Sequence, residues 1–258
     1  MSDENSGQGR MDGGSASLAA AAAGTELRKR SRTAALWYLL MMVTGPIVLI
    51  YLPAKFNVPG DAAATIANIM SSQALFRLWI VIGFISSLSF LFTGLSLYAL
   101  FKAVDKVQAG IMAVLVIVCV PIGFVASLFK LVALLLGGGA AYLKAFTPAQ
   151  LQSLAMIFLD MDKQGELISQ VFWGLWLLPL GILVIKSGFF PKILGVLQLI
   201  ACFGYLASFL VGMLFPGSGG IVRSIITVML FGELPFIFWL IIVGARLKPP
   251  RQPAPAGA

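Results

Sequence analysis

The stretch LISQVFWGLWLLPLGILVIKSGFFPKILGVLQLIACFGYLASFLVGMLF, residues 167–215, holds two apolar runs joined by a short basic turn. The runs cover 167–185 and 193–215, and the turn between them carries Lys186, Ser187, Gly188, Pro191 and Lys192. About 20 apolar residues at 1.5 Å rise cross a hydrocarbon core of about 30 Å, so each run is long enough to span a membrane. Ser, Gly and Pro break the helix between them. This unit, an antiparallel pair of spanning helices, is the pattern of the whole chain. Four further runs, 34–52, 78–101, 109–137 and 221–245, are of similar length. The expected fold is therefore all-α: a polytopic bundle of six transmembrane helices.

Composition agrees with that fold, since 59% of the 258 residues are hydrophobic and only 11% are charged, far from the balance of a soluble domain. The net charge of +8 does not point to nucleic acid, because the basic residues sit beside helix ends and form no stripe. Membrane lipids are the expected partner. Arg28, Lys29, Arg30, Arg32, Lys102, Lys106, Lys186, Lys192, Arg246, Lys248 and Arg251 fall on one side of the membrane. The other side has Lys55, Arg77, Lys144, Lys163 and Arg223. The positive-inside rule then predicts a plasma or inner membrane protein with both termini cytoplasmic.

The domain plan that follows is a disordered tail with a basic collar over 1–32, a six-span domain over 33–247 and a Pro-rich tail over 248–258. One or two short amphipathic helices are expected outside. Thr147, Pro148 and Gln150 have the spacing of a capping box. Leu151, Leu154, Ala155, Phe158 and Leu159 then form one apolar stripe, which reads as a surface helix ending at Asp160–Gly165. A weaker version is Ile66, Ile69 and Met70 after Asp61.

Candidate functional residues are few. The chain has no histidine, which removes histidine-based zinc, haem and serine-triad chemistry. Of ten acidic residues only Glu233 falls inside a run, so paired intramembrane carboxylates are not expected. Neither a cofactor nor a metal is implied. Glu233 and Lys130 form the candidate intramembrane polar site. The two could pair between helices; alternatively Lys130 snorkels and Glu233 makes a structural hydrogen bond as the neutral acid. Pro46, Pro121, Pro179 and Pro235 are the expected helix breakers, and their places in the first and third spans of each half resemble an inverted-repeat plan. Gly204, Ser208 and Gly212 form a small-xxx-small ladder for helix packing, or for self-association if it faces lipid.

The stretch 172–206, FWGLWLLPLGILVIKSGFFPKILGVLQLIACFGYL, resembles the most recognisable segment of a bacterial membrane family named domain of unknown function 4386. Gln150, Leu151, Leu154 and Phe158, the Gly232-Glu233 pair with Trp239 and Leu240, and Gly244 are similar to the rest of its pattern, so the likeness runs over 32–247. The resemblance implies a six-span protein and carries no assigned chemistry. Family members often have a histidine before span four, where this chain has Asp162, Lys163, Gln164 and Gly165. They also often have an arginine in span three, for which Lys130 stands as a displaced substitute. The expected function is that of a non-enzymatic integral membrane protein acting through lipid or protein contacts; the alternative is a small secondary transporter with Glu233 in a midplane site.

Overall fold

A computed structural model describes residues 4–215, 217 and 220–242, and every regular element among them is helical. Helix α1 (Glu4–Pro46) continues through a π-helical turn (Ile47–Tyr51) into α2 (Leu52–Phe56). The short α3 (Ala62–Ser71) leads to α4 (Gln73–Phe101) and α5 (Lys106–Gly137). A 3₁₀ turn (Ala141–Ala145) precedes α6 (Pro148–Leu175) and α7 (Leu177–Ser187), which run on as one span. Then come α8 (Lys192–Leu214), α9 (Ile221–Leu230), a 3₁₀ turn (Phe231–Glu233) and α10 (Leu234–Ile242). Six of the resulting helical segments are long and apolar enough to cross a membrane. Leu36, Ile50, Val114, Leu128 and Val228 are more than half exposed on outer faces, the surface that hydrocarbon would cover.

Local sequence explains the interruptions. Pro179 has no N–H to return to the Leu175 carbonyl, and the helix breaks at Trp176, where α6 hands over to α7. Pro235 likewise leaves the Phe231 carbonyl free, and the Leu234 N–H takes it in a tighter turn. Pro46 ends α1 at the start of the π-helical turn, while Pro121 sits within the continuous α5. The breaks thus fall in spans one, four and six and leave span three whole, so they do not repeat between halves. Gly188 closes α7 with φ of 69°, a conformation that side chains resist.

Two sequence expectations change. Thr147 and Gln150 do form the capping box, but the helix they start does not end near Gly165 on a surface; it runs on to Leu175 and becomes the spanning helix itself. The stripe Ala155 and Leu159 continues through Asp162, Glu166, Ser169 and Trp173 at the same helical spacing, so nothing local tells the helix to stop. At the other end, a tail without regular structure was expected over 1–32, yet α1 is helical from Glu4. The alanine run has high helix propensity. Arg30 bonds Glu26 at 2.9 Å and the Ala99 carbonyl at 2.9 Å, fastening the collar to α4. Helix α3, capped by Asp61, is a short helix between the first two spans. The Pro-rich tail over 248–258 lies outside the described residues.

The core divides into two clusters. Tyr38, Leu97, Phe101, Met112, Trp176, Leu180 and Phe236 pack toward the end bearing the α4–α5 and α7–α8 turns, here termed the basic end. Phe56, Ile69, Phe76, Trp79, Leu134 and Leu159 pack at the α3 end. Glycines set the closest helix approaches. Helices α7 and α8 meet where a Cβ on Gly195 would lie 2.6 Å from the Gly181 carbonyl oxygen. On the ladder, a Cβ on Gly204 would sit 2.8 Å from Met229 of α9 and one on Gly212 would sit 2.8 Å from Leu167 of α6. Both glycines therefore serve packing within the chain. Replacing Gly195 with Leu should cost at least about 1–3 kcal/mol through overpacking, read as a lowered unfolding midpoint in detergent. Gly110→Ala, where a Cβ meets nothing within 4 Å, should not lower the midpoint and should raise it slightly through helix propensity.

Asp105 ties the two basic turns together. Its Oδ1 caps α5 by accepting from Gln108 N at 3.1 Å, and its Oδ2 pairs with Lys186 at 2.9 Å. The Lys186 hydrogen bond, then the Gln108 N–H, hold this carboxyl below its ordinary value of 3.8. A depressed acid stabilises the fold above its unfolded value and loses that contribution as pH falls through the folded one. Lys186→Met should bring the Asp105 titration back toward 3.8, measured by carboxyl NMR, and should shrink the loss of stability below that pH.

Candidate functional site

Three inward-facing stripes meet at the α3 end. On α5, Gly123, Ala126, Ser127 and Lys130 recur at three- and four-residue spacing; on α6, Asp162, Glu166, Ser169 and Trp173 do the same; α4 adds Trp79, Gly83, Ser86 and Ser87. These residues, with Val48 and Leu49 of the π-helical turn, line a cavity of about 90 Å³. Such a volume holds a few waters or one small ion or solute, below the size of a drug-like pocket.

Lys130 is the centre of the site and is 3% exposed. Its Nζ lies 2.5 Å from both carboxylate oxygens of Asp162 and 3.6 Å from Glu166 Oε1. The Trp79 ring centroid is 4.9 Å from the same nitrogen, within range of a cation–π contact. Trp79 is itself held by a backbone defect. In the π-helical turn Leu52 N–H reaches back to the Ile47 carbonyl. By the same register the next carbonyl, Val48, would need the N–H of Pro53, which has none. Trp79 Nε1 donates to that Val48 carbonyl at 3.0 Å. Phe56 stacks on the Trp79 ring and Phe76 meets its edge.

One ammonium serves two carboxylates: Lys130 meets Asp162 at contact distance, and Glu166 is its second, longer ion-pair partner at 3.6 Å. The Glu166 side chain is 29% exposed and lines the cavity. Ser127 and Ser169 donate to the carbonyls of Gly123 and Gly165 on their own helices.

Glu233 occupies a separate place. The tightened turn before Pro235 carries it, and it accepts hydrogen bonds from Tyr38 Oη of α1 and, at 3.3 Å, from Tyr205 Oη of α8. It lies at the middle of the apolar run 221–245. Lys130 lies 24 residues from Lys106, about 36 Å along α5 at 1.5 Å per residue, so it is near the α3 end. Lys130 and Glu233 therefore do not pair; each has its own partners. The acids that do meet Lys130 are Asp162 and Glu166, which the longer α6 carries alongside α5. A signal for both was present: they continue the apolar stripe of Ala155 and Leu159.

These features define a multi-pass helical membrane protein with a buried, charged polar cluster. The chain belongs to the family described as Domain of unknown function (DUF4386), whose model matches residues 33–244. An uncharacterized protein of Archaeoglobus fulgidus is 34% identical over 129 residues, which is 49% of this chain and 68% of that relative. No solved structure matches the chain.

Removing one partner of a buried pair strands the other charge and costs about 3–5 kcal/mol, while replacing both with apolar residues can be neutral. Lys130→Met should thus lower stability by that amount in unfolding measurements in detergent. The double variant Lys130→Met/Asp162→Leu should recover most of it.

Proposed function

We propose that this is a non-enzymatic membrane protein that binds a small organic cation in the cavity beneath Trp79, with Glu166 as the counter-ion. The observation that carries the reading is the imbalance of the cluster: one lysine faces two carboxylates. Glu166 shares the same ammonium at 3.6 Å and lines the cavity, so the cluster holds one more carboxylate than ammonium, and a cation entering the cavity would balance it. Ser127 and Ser169 on the walls are turned to their own helix carbonyls, which favours binding over nucleophilic chemistry at those two positions. A permease role is compatible with this reading, but its centre is then Glu166 and not the tyrosine-clamped Glu233. The excess of lysine and arginine at the basic end supports an orientation with that end in the cytoplasm, which puts the cavity toward the opposite leaflet.

Methylammonium is small enough to serve as the probe. Calorimetric titration of the protein in lipid nanodiscs should detect its binding, and Glu166→Gln should weaken it at least tenfold, about 1.4 kcal/mol, without lowering the unfolding midpoint. Absence of methylammonium binding by the unaltered protein would overturn the proposal.

A further inference from the structure

At the basic end, two contacts hold α1 and α4 antiparallel in one register. Arg30 donates to the Ala99 carbonyl at 2.9 Å, and seven residues along each helix the Trp37 ring stacks on Phe92 at 4.7 Å. Beside the first contact the helices leave an open groove of about 250 Å³. Lys29, Arg30 and Thr33 line it from α1, and Leu95, Ser96 and Ala99 line it from α4. The groove lies within two turns of the Phe101 end of α4, the depth at which lipid headgroups give way to acyl chains. Leu95 and, one turn deeper, Phe92 are exposed on the outer face.

The charges around the groove do not cancel. Arg30 is fixed, with Nε on Glu26 at 2.9 Å and Nη1 on the Ala99 carbonyl. Glu26, which also lines the groove, is thereby occupied by Arg30. Lys29 is exposed and has no ion-pair partner among the described residues, and the Ser96 hydroxyl makes no hydrogen bond among them. Two cations against one carboxylate leave a surplus of one positive charge, and Lys29 carries it. We infer that this groove is a site for an anionic phospholipid of the leaflet at the basic end, its phosphate meeting Lys29 and Ser96 and its chains lying over Leu95 and Phe92. A zwitterionic head would bring an ammonium that Lys29 repels, whereas a head of net negative charge balances the surplus. The bilayer already holds a lipid phosphate at this depth, which a free phosphate would have to reach from bulk water. The site is at the opposite end from the cation cavity and does not rest on it.

Native mass spectrometry of the full chain, released from detergent carrying equimolar dioleoyl phosphatidylglycerol and dioleoyl phosphatidylcholine, reads the number and class of lipids retained. One phosphatidylglycerol should be kept at least fivefold over phosphatidylcholine. Lys29→Gln should reduce that preference at least threefold, and Glu26→Gln, which removes the competing carboxylate, should increase it. Lys192→Gln deletes the same charge at the same end but outside the groove, and should leave the preference intact. Equal losses in Lys29→Gln and Lys192→Gln, a preference that survives Lys29→Gln, or no preference at all would overturn the site. Displacement of the lipid by millimolar inorganic phosphate would overturn its assignment to a lipid.

Discussion

An ammonium buried among membrane helices must have an anion at contact distance, and this requirement organises the α3 end of the protein. Lys130 can sit seven residues inside the end of α5 because Asp162 meets it from α6. For Asp162 to be there, α6 must run unbroken from its cap at Thr147 into the membrane. The α5–α6 contact is accordingly the broadest helix contact among the described residues. The pair is not a free gain in stability, since desolvating both charges offsets most of their attraction. Its effect is to fix the register of two helices, because a slip of one residue would leave both charges unpaired.

Around that pair, backbone irregularity and side-chain chemistry are linked. Pro53 denies the Val48 carbonyl its partner in the π-helical turn, Trp79 supplies the missing donor, and the ring so positioned faces the Lys130 ammonium. Glu233 depends on the same kind of event at the other site, where Pro235 tightens the preceding turn and sets the carboxyl between two tyrosines from α1 and α8. Proline in this bundle acts less as a hinge repeated between halves than as a source of unpaired carbonyls and tight turns that place polar groups. The two acidic sites differ in kind: Glu233 has both oxygens occupied by phenols, whereas Glu166 has an oxygen to offer.

The six spans, the turn at Lys186–Lys192, the capping box at Thr147 and the internal glycine ladder were all legible from residue order, because each depends on neighbours within a few positions. Run length decides whether a helix can span, and local chemistry decides where it starts and stops. Lys130 and Glu233 stood out for the same reason, as charges inside apolar runs. Asp162 and Glu166 did not, because Asp160, Lys163 and Gly165 around them imitate a helix end at a surface. Their place on the stripe of Ala155 and Leu159 was the countervailing signal, outweighed by local polarity.

By itself, then, the sequence determined the class of protein, the number of spans and the residues available for polar contacts, since hydropathy and helical period are properties of short segments. Only the tertiary structure decided the partners. Lys130 takes Asp162 and Glu166 as partners and not Glu233, and these three residues line one cavity. Each of these depends on how three helices rotate and slide against one another. That choice is made by close packing and by pairing of charges over 30 residues apart in the chain, and no local pattern encodes it.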